Sequence, residues 1–487
     1  MRSRSSRGVA VAASVAALGA CSFAPHYQVP KTAPPPPAYR ELADWKTAQP
    51  ADAMPKGDWW TIYRDDSLSA LETKAEAANQ NLKAAFARLQ QARADTRIAR
   101  ADLFPSLSAK ATATRARVSP NSPQYIAGAP TEGTDFDVEA DLSYELDLWG
   151  RVRNEVAAAR ATQQASAADL AAIRLSIHAE VATDYFGLRS YDTQRQLLDK
   201  TVEDYAKALE LEQTLFDGGA AALSDLEQAK AQLHTAETQA ADVRLLRNQL
   251  EHAIAVLVGE SPSSFRLAVN PLPQDATPPR LDPGMPSALL ERRPDVAEAE
   301  RRVSAANAQI GVARAAYFPQ FVLTGAGGFN SVHASSWIGA PSLFWSVGPT
   351  VTMPLFEGGR LLAQTSRAKA AYSEQVADYR NTVLTAYQEV EDNLAALRQL
   401  EIESNTQALA VEATGIALQK SQDRYLAGLV TYLEVASTET AALQAQLSRI
   451  NIQARRLDAS VLLVKALGGG WSENMNPNPS EARVGEN

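Results

Sequence analysis

The sequence has few of the residues on which catalytic and metal sites usually depend. It contains one cysteine, which excludes an internal disulfide, and five histidines that show no metal-ligand spacing. No Ser/His/Asp arrangement stands out, and Gly150-Arg151 and Gly358-Gly359-Arg360 are too short to form a nucleotide-binding loop. We therefore expect neither an enzyme nor a bound cofactor.

Charge and hydropathy exclude two further classes of protein. The 487 residues carry a formal net charge of −9 without a dense basic cluster, which argues against nucleic-acid binding. Outside the extreme N-terminus, no apolar run is long enough to form a membrane-spanning helix. Contact with lipid through strands stays open, because such strands are apolar only at every second position.

The N-terminus predicts an export signal and a lipid anchor. Three arginines within the first seven residues precede the short apolar stretch from Val9 to Leu18. Leu18-Gly19-Ala20-Cys21 resembles a bacterial lipobox, so we expect residues 1–20 to be a signal peptide and Cys21 to carry a covalent lipid. Ser22 after the cysteine favours sorting to the outer membrane. Acyl chains anchor by burying methylenes, and the Pro-rich segment 21–57 would be a stiff tether. The alternative is an ordinary secretory leader with a chance cysteine.

The chain contains an internal duplication. Gly219 and Gly428 lie 209 positions apart, and the Gly-Arg pairs at 150 and 359 share that spacing. The Phe-Pro pairs at 104 and 318 are 214 positions apart. The segment between these two landmarks is therefore five residues longer in the first half. This spacing indicates two copies of a long unit, not a short solenoid repeat.

Each half is predicted to form one helix, two strands and then two long helices. Several stretches have no proline and at most one glycine, and they exceed ordinary globular helices in length. In the last stretch, apolar positions alternate four and three residues apart, which predicts a coiled-coil seam with a counterpart in the first half. The alternative is a plain buried face in a helical bundle. The stretches are 58–103, 152–217, 220–258, 361–427 and 429–467, and the seams are Leu226, Ala229, Leu233, Ala236, Ala240 and Val243, then Leu443, Leu447, Ile450, Ala454, Leu457, Val461 and Val464.

Four segments alternate as strands with two different faces, near 106–118, 134–148, 320–330 and 343–355. In the second segment every even position is apolar and every odd position is polar, so the two classes lie on opposite faces. One face would meet lipid and the other a water-filled lumen; the alternative is a soluble sheet with one wet face. Several chains would be needed, because closed membrane sheets have about eight strands or more. The lumen-facing acids would be Asp135, Asp137, Glu139, Asp141 and Glu145.

Several short motifs, taken in order with the duplication, resemble the outer membrane efflux protein family. The resemblance covers nearly the whole mature chain and is closest to the TolC-like, NodT-type lipoprotein branch. The motifs are Trp59-Trp60 with Asp65 and Leu68, Asp147-Leu148-Trp149-Gly150-Arg151, Arg292-Arg293-Pro294-Asp295-Val296, Ala313-Arg314-Ala315-Ala316-Tyr317-Phe318-Pro319 and Phe356-Glu357-Gly358-Gly359-Arg360.

The resemblance implies a mostly α fold with a β-barrel part, assembled as a TolC-like trimer. Each protomer would give four β-strands to a shared twelve-stranded barrel, which continues into a long periplasmic α-helical coiled-coil barrel, with an equatorial mixed domain. The repeats would be 58–260 and 292–468, the equatorial linker 261–291 and the C-terminal tail 469–487. The location would be the outer membrane of a Gram-negative bacterium, with the chain extending into the periplasm.

The same resemblance implies a function in export. The chain would be the outer-membrane channel of a tripartite efflux system, a passive trimeric conduit for small molecules or drugs. Its partners would be a periplasmic adaptor (membrane fusion) protein and an inner-membrane pump of the resistance-nodulation-division class. Two alternatives are a periplasmic structural coiled-coil lipoprotein, which leaves the paired strands unexplained, and an exit duct for type I secretion.

The turns at Gly219 and Gly428 would be the periplasmic tips, which in the family close the channel and dock the adaptor. We expect the carboxylates of Asp225 and Glu434 about two helical turns beyond each glycine, in rings that bind cations. Arg424 and Tyr425 would latch neighbouring helices. The alternative is a helix–helix loop with a capping glycine and solvated ends. The gate candidates are Asp217, Asp225, Arg424, Tyr425 and Glu434, and the docking candidates are Gly218, Gly219, Ala220, Gly428, Leu429, Val430 and Thr431.

Overall fold

The structure, a computed structural model, describes residues 22–32, 40, 58–123, 125–273, 276–279 and 293–469. The predicted signal peptide, the lipidation site Cys21, most of the Pro-rich tether and the tail beyond residue 469 lie outside these residues. The chain divides into two compact units, which are described separately. The first contains 1–31, 88–167 and 298–380, and the second contains 32–87, 168–297 and 381–487.

The first unit contains one antiparallel sheet with the strand order β1-β2-β3-β4. Two strands come from each half of the sequence, and each pair forms a hairpin. Residues that alternate between apolar and polar favour such half-buried strands. The strands are β1 (Ser106–Arg117), β2 (Glu132–Glu145), β3 (Gln320–Ser331) and β4 (Leu343–Thr352).

The two hairpins have equivalent registers. Ser106 pairs with Ser143 in the first hairpin, and Gln320 pairs with Thr352 in the second. Gln320 lies 214 positions after Ser106, and Thr352 lies 209 positions after Ser143. The two offsets found in the sequence therefore relate equivalent strand pairs in the structure. The five extra residues of the first half therefore lie in the β1–β2 loop. β2 and β3 join the two repeats, with Asp141 opposite Ala326.

The sheet has one apolar face and one polar face, as the alternation predicted. Leu107, Trp345 and Val347 lie on the apolar face, with 74%, 75% and 65% of their surface exposed. Phe344 lies on the other face, because it pairs with Gly328, which is opposite Glu139. Phe344 and Trp345 therefore lie on opposite faces, since neighbouring strand residues point to opposite faces.

The helices follow the duplication in length as well as in order. α3 and α6 each have 67 residues, and α4 and α7 each have 35. None of the described helices combines the length and the apolarity that a membrane span requires. The bounds are α1 (Asp66–Ala78), α2 (Gln80–Ala101), α3 (Arg151–Asp217), α4 (Leu223–Leu257), α5 (Pro294–Ala315), α6 (Arg360–Leu426) and α7 (Tyr432–Ala466).

The stretch 58–103, predicted as uninterrupted, is instead a short turn followed by two helices that meet at Asn79. The Asn79 side chain accepts hydrogen bonds from the amides of Asn81 and Leu82 at 2.8 and 3.1 Å. Its Nδ2 donates to the carbonyl of Leu257 at 2.8 Å. A side chain that caps free amides can start a new helix without glycine or proline, so the sequence carried no conspicuous break signal.

The predicted seams lie in the core of the second unit. All six positions of the first-half seam are buried, and five of the seven in the second-half seam are buried as well. The other two, Leu443 and Leu447, pack against a cluster formed by Leu198, Ala240 and Val243. Alanine at three of the first six positions allows helices to approach closely, which a coiled-coil seam requires.

The segment that follows the predicted lipidation site is fixed within the first unit. The Phe23 ring stacks on the Phe318 ring with centroids 4.3 Å apart. The Ser22 hydroxyl donates to Asn154 at 3.0 Å, and Arg314 donates to the Phe23 carbonyl at 3.2 Å. Since Asn154 lies in the first turn of α3, residue 22 is held just after the end of β2.

Candidate functional site: the two helical tips

The second unit contains two helical hairpins whose turns coincide with the glycines found by duplication. α3 ends at Asp217 and α4 begins at Leu223, whereas α6 ends at Leu426 and α7 begins at Tyr432. The sequence predicted that the returning helices start at residues 220 and 429. They start three residues later in both repeats, because the residues after each glycine complete the turn.

The two turns have the same backbone geometry. Gly219 and Gly428 have φ angles of 72° and 70°, in the left-handed region that glycine adopts most readily. The amide of Ala220 donates to the Leu215 carbonyl at 2.7 Å, and that of Leu429 donates to the Arg424 carbonyl at 3.0 Å. These bonds define a Schellman cap, which satisfies carbonyls at the helix end. The capping role of both glycines is therefore structural.

The side chains at the two turns differ. Leu215 and Phe216 end the first long helix at the positions that Arg424 and Tyr425 occupy in the second. The Tyr425 hydroxyl donates a short hydrogen bond to Oε1 of Glu212 on α3, which links the second hairpin to the first. Arg424 forms an ion pair with Glu434 at 2.7 Å, which links α6 to α7.

A small core lies immediately behind these contacts. Ala229 from the first hairpin packs with Tyr432, Val435 and Ala436 from the second. Gln232 on α4 donates to the Ala436 carbonyl at 2.8 Å and accepts from the Tyr432 hydroxyl at 2.9 Å. The two hairpins are thus joined by apolar contacts and by three side-chain hydrogen bonds close to the tips.

Burial changes the acid–base behaviour of this region. Burial raises the pKa of Tyr425, and the hydrogen bond to Glu212 and the charge of that residue raise it further. The phenol therefore stays neutral and remains a donor. Burial also raises the pKa of Glu439 on α7 to about 7, with Asp204 as a contributing negative charge. Glu212 is 1% exposed, and its Oε2 has no hydrogen-bond partner among the described residues.

Three of the five gate candidates lie together at the second tip. The positions expected for Asp225 and Glu434 along their helices were wrong. Arg424, Tyr425 and Glu434 lie at the second tip with their partners as described. Asp225 and Glu434 are in the first turns of α4 and α7, not two turns beyond the glycines, because each helix starts late. Asp217 accepts from Gln213 at 2.9 Å on the surface of the first tip.

The predicted docking residues form the outer surface of both turns. Gly218, Gly219 and Ala220 are exposed in the first turn, and Gly428, Leu429 and Thr431 are exposed in the second. Val430 is half-buried. Leu429 has 71% of its surface exposed and Leu426 has 78%, which leaves apolar contact points at the second tip.

Sequence reasoning missed Glu212 and Gln232. Both are polar residues within long helices, and a polar residue in a helix is usually solvated. Gln232 lies directly before the seam residue Leu233, and this position is only a weak indication that its side chain is buried. Glu212 gave none, because its burial depends on which face of α3 meets the second hairpin.

The strand acids lie together on the polar face of the sheet. Asn330 donates to Asp135 at 3.0 Å, and Lys110 lies 3.7 Å from Glu139. Glu145 forms an ion pair with Arg151 at 2.6 Å, where β2 leads into α3. Asp137 and Asp141 face the same side, opposite Thr112 and Ser108. Among the described residues, no group of three or more His, Cys, Asp or Glu is arranged to hold a metal ion.

Comparison with known proteins agrees with this architecture. Outer membrane protein OprJ of Pseudomonas aeruginosa is 34% identical over 462 residues, which cover 94% of each chain. Cation efflux system protein CusC of Escherichia coli is 30% identical over 470 residues, or 94% of this chain and 97% of the relative. Both relatives are therefore similar over nearly their whole length.

A solved structure and a family model give the same result. The CmeC outer membrane channel of Campylobacter jejuni superposes with a TM-score of 0.85 at 26% identity, covering 95% of this chain and 97% of that one. The family model described as outer membrane efflux protein matches residues 71–260 and 285–469, one segment for each half of the duplication. The chain therefore belongs to the outer membrane efflux protein family.

Proposed function

We propose that this outer membrane efflux protein acts as a passive homotrimeric conduit whose periplasmic end is closed at rest by the two helical tips. The family is one of transport channels, and the chain is an outer-membrane component of efflux. A periplasmic adaptor would dock on the exposed turns, and an inner-membrane pump of the resistance-nodulation-division class would supply the energy. Each repeat, 58–260 and 292–468, contributes one strand pair and one helical hairpin.

The main support for a gate at the tips is the hydrogen bond from Tyr425 to Glu212. It joins the second hairpin to the first, close to both turns, and its acceptor is almost fully buried. A hydrogen bond to a charged group contributes about 1.5–3 kcal/mol, and losing it leaves the buried acceptor unsatisfied. Arg424 and Glu434 add an exposed ion pair within the second hairpin, which contributes less.

Single-channel conductance tests the gate. Trimers with Tyr425→Phe and Arg424→Ser are expected to conduct several-fold more than the wild type in the resting state, because the bond between the hairpins and the adjacent ion pair are both lost. Lys420→Ser is the matched control, since it removes a cation from an exposed pair with Asp423 on the same helix. An unchanged conductance of the double variant would contradict the proposed gate.

We further propose that Cys21 carries a covalent lipid. Support comes from Ser22 and Phe23, which are held just after the membrane-facing strand β2 and would place an acyl chain near the sheet. Metabolic labelling with a palmitate analogue is expected to mark the wild type and a Ser22→Ala variant, and not Cys21→Ala. Equal labelling of all three would refute the assignment.

The acids on the polar face of β2 would make the conduit prefer cations. Asp137 and Asp141 face the same side of the sheet as Asp135, Glu139 and Glu145. Rings of carboxylates attract cations and repel anions. A salt gradient across the trimer is expected to give a reversal potential of cation-selective sign, and its magnitude should fall in a variant with Asp137→Asn and Asp141→Asn. A reversal potential of anion-selective sign would contradict this assignment.

A further inference from the structure

A buried histidine on α3 lies between two glutamates of α1. The Nδ1 atom of His178 is 2.7 Å from Oε2 of Glu72, and its Nε2 atom is 3.1 Å from Oε2 of Glu76. Arg174, four residues before the histidine on α3, forms an ion pair with Glu76 at 2.9 Å. We call these four side chains the His178 cluster. They lie apart from both helical tips and from the sheet, so neither the gate nor the conduit accounts for them.

The cluster is part of a regular antiparallel contact between α1 and α3. Asp65, which caps α1, accepts a hydrogen bond from the Tyr185 hydroxyl at 2.7 Å. Seven residues further along α1, Glu72 contacts His178, which lies seven residues back along α3. The ion pair of Glu76 lies four residues further in the same direction. Polar contacts therefore attach α1 to α3 at three successive levels.

The surroundings keep water away from the histidine and from Glu72. The Trp60 ring covers the imidazole with centroids 4.5 Å apart, and Trp60 is itself buried. Glu72 is 0% exposed, and its Oε1 atom has no hydrogen-bond partner among the described residues. An ionised carboxylate with an unpaired buried oxygen is costly, whereas the carbonyl oxygen of a neutral acid costs much less.

The two contacts of the imidazole require more hydrogens than a neutral histidine has. Each contact between a ring nitrogen and a carboxylate oxygen needs one hydrogen, and a neutral imidazole carries one on its two nitrogens. One additional proton is therefore needed. With it, the His178 cluster has no net charge, because Arg174 balances the remaining carboxylate. Without it, the cluster carries a net negative charge, and one contact brings two lone pairs together.

We propose that Glu72, His178 and Glu76 form a proton-binding site that fastens α1 to α3. The additional proton lies between Glu72 and the histidine, with the Glu72 acid donating to Nδ1 and Nε2–H donating to Glu76. This arrangement satisfies both ring nitrogens and leaves only a neutral carbonyl oxygen unpaired. Glu76 stays charged for its pair with Arg174. The site concerns the attachment of α1 and does not depend on the trimer or on the gate.

The pKa shifts agree with this arrangement. Burial raises the pKa of Glu72 to about 7, although the contact with His178 opposes the shift. Burial lowers the pKa of His178, but the hydrogen bonds and charges of both glutamates outweigh it and raise the pKa overall. Burial likewise opposes ionisation of Glu76, yet His178 and Arg174 lower its pKa. The folded state thus holds a proton that the unfolded state releases, so the attachment weakens as the pH rises from about 4.5 through 7.

Other titratable groups on these helices have partners outside the cluster. Burial raises the pKa of Tyr185 to about 12, so its bond to the cap of α1 persists throughout this pH range. On the exposed side of α1, Lys74 pairs with Glu260 at 3.0 Å. Asp458 on α7 is buried beside Asp184 of α3, and burial, followed by the charge of Asp184, raises its pKa to about 7. Asp458 therefore titrates in the same range as Glu72 and provides a control.

The second repeat has a different group at the equivalent position. At the offset of 209, His178 corresponds to Tyr387, and burial raises the pKa of this phenol above its usual value. A neutral phenol neither gains nor loses a proton between pH 4.5 and 7. The duplication therefore does not extend to this titratable group.

Hydrogen exchange at several pH values tests the site in the full-length protein extracted in detergent. After correction for intrinsic rates, the protection of residues 66–78 is expected to fall roughly tenfold between about pH 6 and about pH 8. The reason is that each pH unit below the raised pKa of Glu72 costs up to about a factor of ten. Residues 294–315, helix α5, provide the reference. Protection of α1 that does not change relative to α5 would overturn the proposal.

Three variants identify the group that holds the proton. Glu72→Gln should keep α1 as protected at about pH 8 as the wild type is at about pH 6, because the amide can donate to Nδ1 and cannot lose that proton. His178→Ala should lower the protection of α1 at both pH values. Asp458→Asn is the matched control and should retain the pH dependence of the wild type.

Two results with these variants would overturn the assignment. A Glu72→Gln protein whose α1 is as poorly protected as in His178→Ala would show that an ion pair with ionised Glu72, and not a shared proton, fastens the helix. A pH dependence that disappears in Asp458→Asn and persists in Glu72→Gln would show that the titrating group lies on α7.

Discussion

The two helical tips have nearly the same backbone and carry different chemistry. Both long helices end in a Schellman cap on a glycine with φ near 70°, and both returning helices begin four residues after that glycine. Leu215 and Phe216 precede the first glycine, whereas Arg424 and Tyr425 precede the second. The backbone of the turn is therefore duplicated, whereas the side chains beside the glycine are not, and only the second turn carries a tyrosine that bonds to the other hairpin.

The difference extends beyond the turns. Tyr432 is 3% exposed and bonded to Gln232, whereas Leu223, its equivalent at an offset of 209, is 57% exposed. Glu439 is partly buried with a raised pKa, whereas its equivalent Lys230 forms an exposed ion pair with Glu227. At these two pairs of equivalent positions, the side chain of the second hairpin packs against other helices, whereas that of the first hairpin lies toward solvent.

The shared feature, the two glycines, is expected to affect stability equally at both tips. Gly219→Ala and Gly428→Ala should each lower the free energy of unfolding by about 1 kcal/mol, because a Cβ is disfavoured at positive φ. The two losses should be equal if the caps are equivalent, and the heat-dissociation temperature of the trimer measures them. Gly415→Ala within α6 is the control and should be neutral or stabilising. A marked loss of stability for only one of the two substitutions would show that the two caps are not equivalent.

A second effect, expected only at the second tip, comes from pH. The pKa of Glu439 is raised from 4.5 to about 7 in the folded protein. The folded state then binds more protons than the unfolded state between these values, so stability falls as the pH rises from about 4.5 through 7. Hydrogen exchange, corrected for intrinsic rates, should become faster in residues 425–440 as the pH rises and change less in residues 215–231.

Two variants at equivalent positions sharpen the pH comparison. Glu439→Gln should remove most of the pH dependence of exchange in residues 425–440, because the amide does not titrate. Lys230→Gln, at the equivalent position of the first hairpin, should leave it unchanged. An undiminished dependence in Glu439→Gln would mean that another group is responsible.

The smallest effect is expected from the ion pair of Arg424 with Glu434. Its side chains are 54% and 39% exposed, and pairs this exposed typically contribute about 0.2–1 kcal/mol. A double-mutant cycle with Arg424→Gln and Glu434→Gln should give a coupling energy in that range, and the coupling should weaken in high salt. A coupling above about 2 kcal/mol would require a tighter contact than the exposed geometry provides.

Much of the fold could be predicted from the sequence, because the signals were periodic and repeated. The alternation from Asp135 to Glu145 predicted both faces of β2, and the apolar seams predicted which sides of α4 and α7 are buried. Asn79 could not be recognised as a helix break, because a capping side chain has no conspicuous signature.

The tip was predicted only in part. The glycines and their offset located both turns, and Arg424 and Tyr425 were recognised by their place before the second glycine. Their partners were not, because contacts between hairpins depend on which helix faces meet. Glu212 precedes its own glycine by seven residues and resembles any solvated glutamate until α3 and α6 are placed side by side.

If the bond from Tyr425 to Glu212 closes the second tip against the first hairpin, a double-mutant cycle measured as single-channel conductance should show it. Tyr425→Phe, Glu212→Gln and the combination of both would be compared with the wild type as single trimers in a planar bilayer. Each single variant should raise the resting conductance, and the combination should raise it no further than the larger single effect. A Tyr425→Phe trimer with wild-type conductance, or two effects that simply multiply, would contradict it.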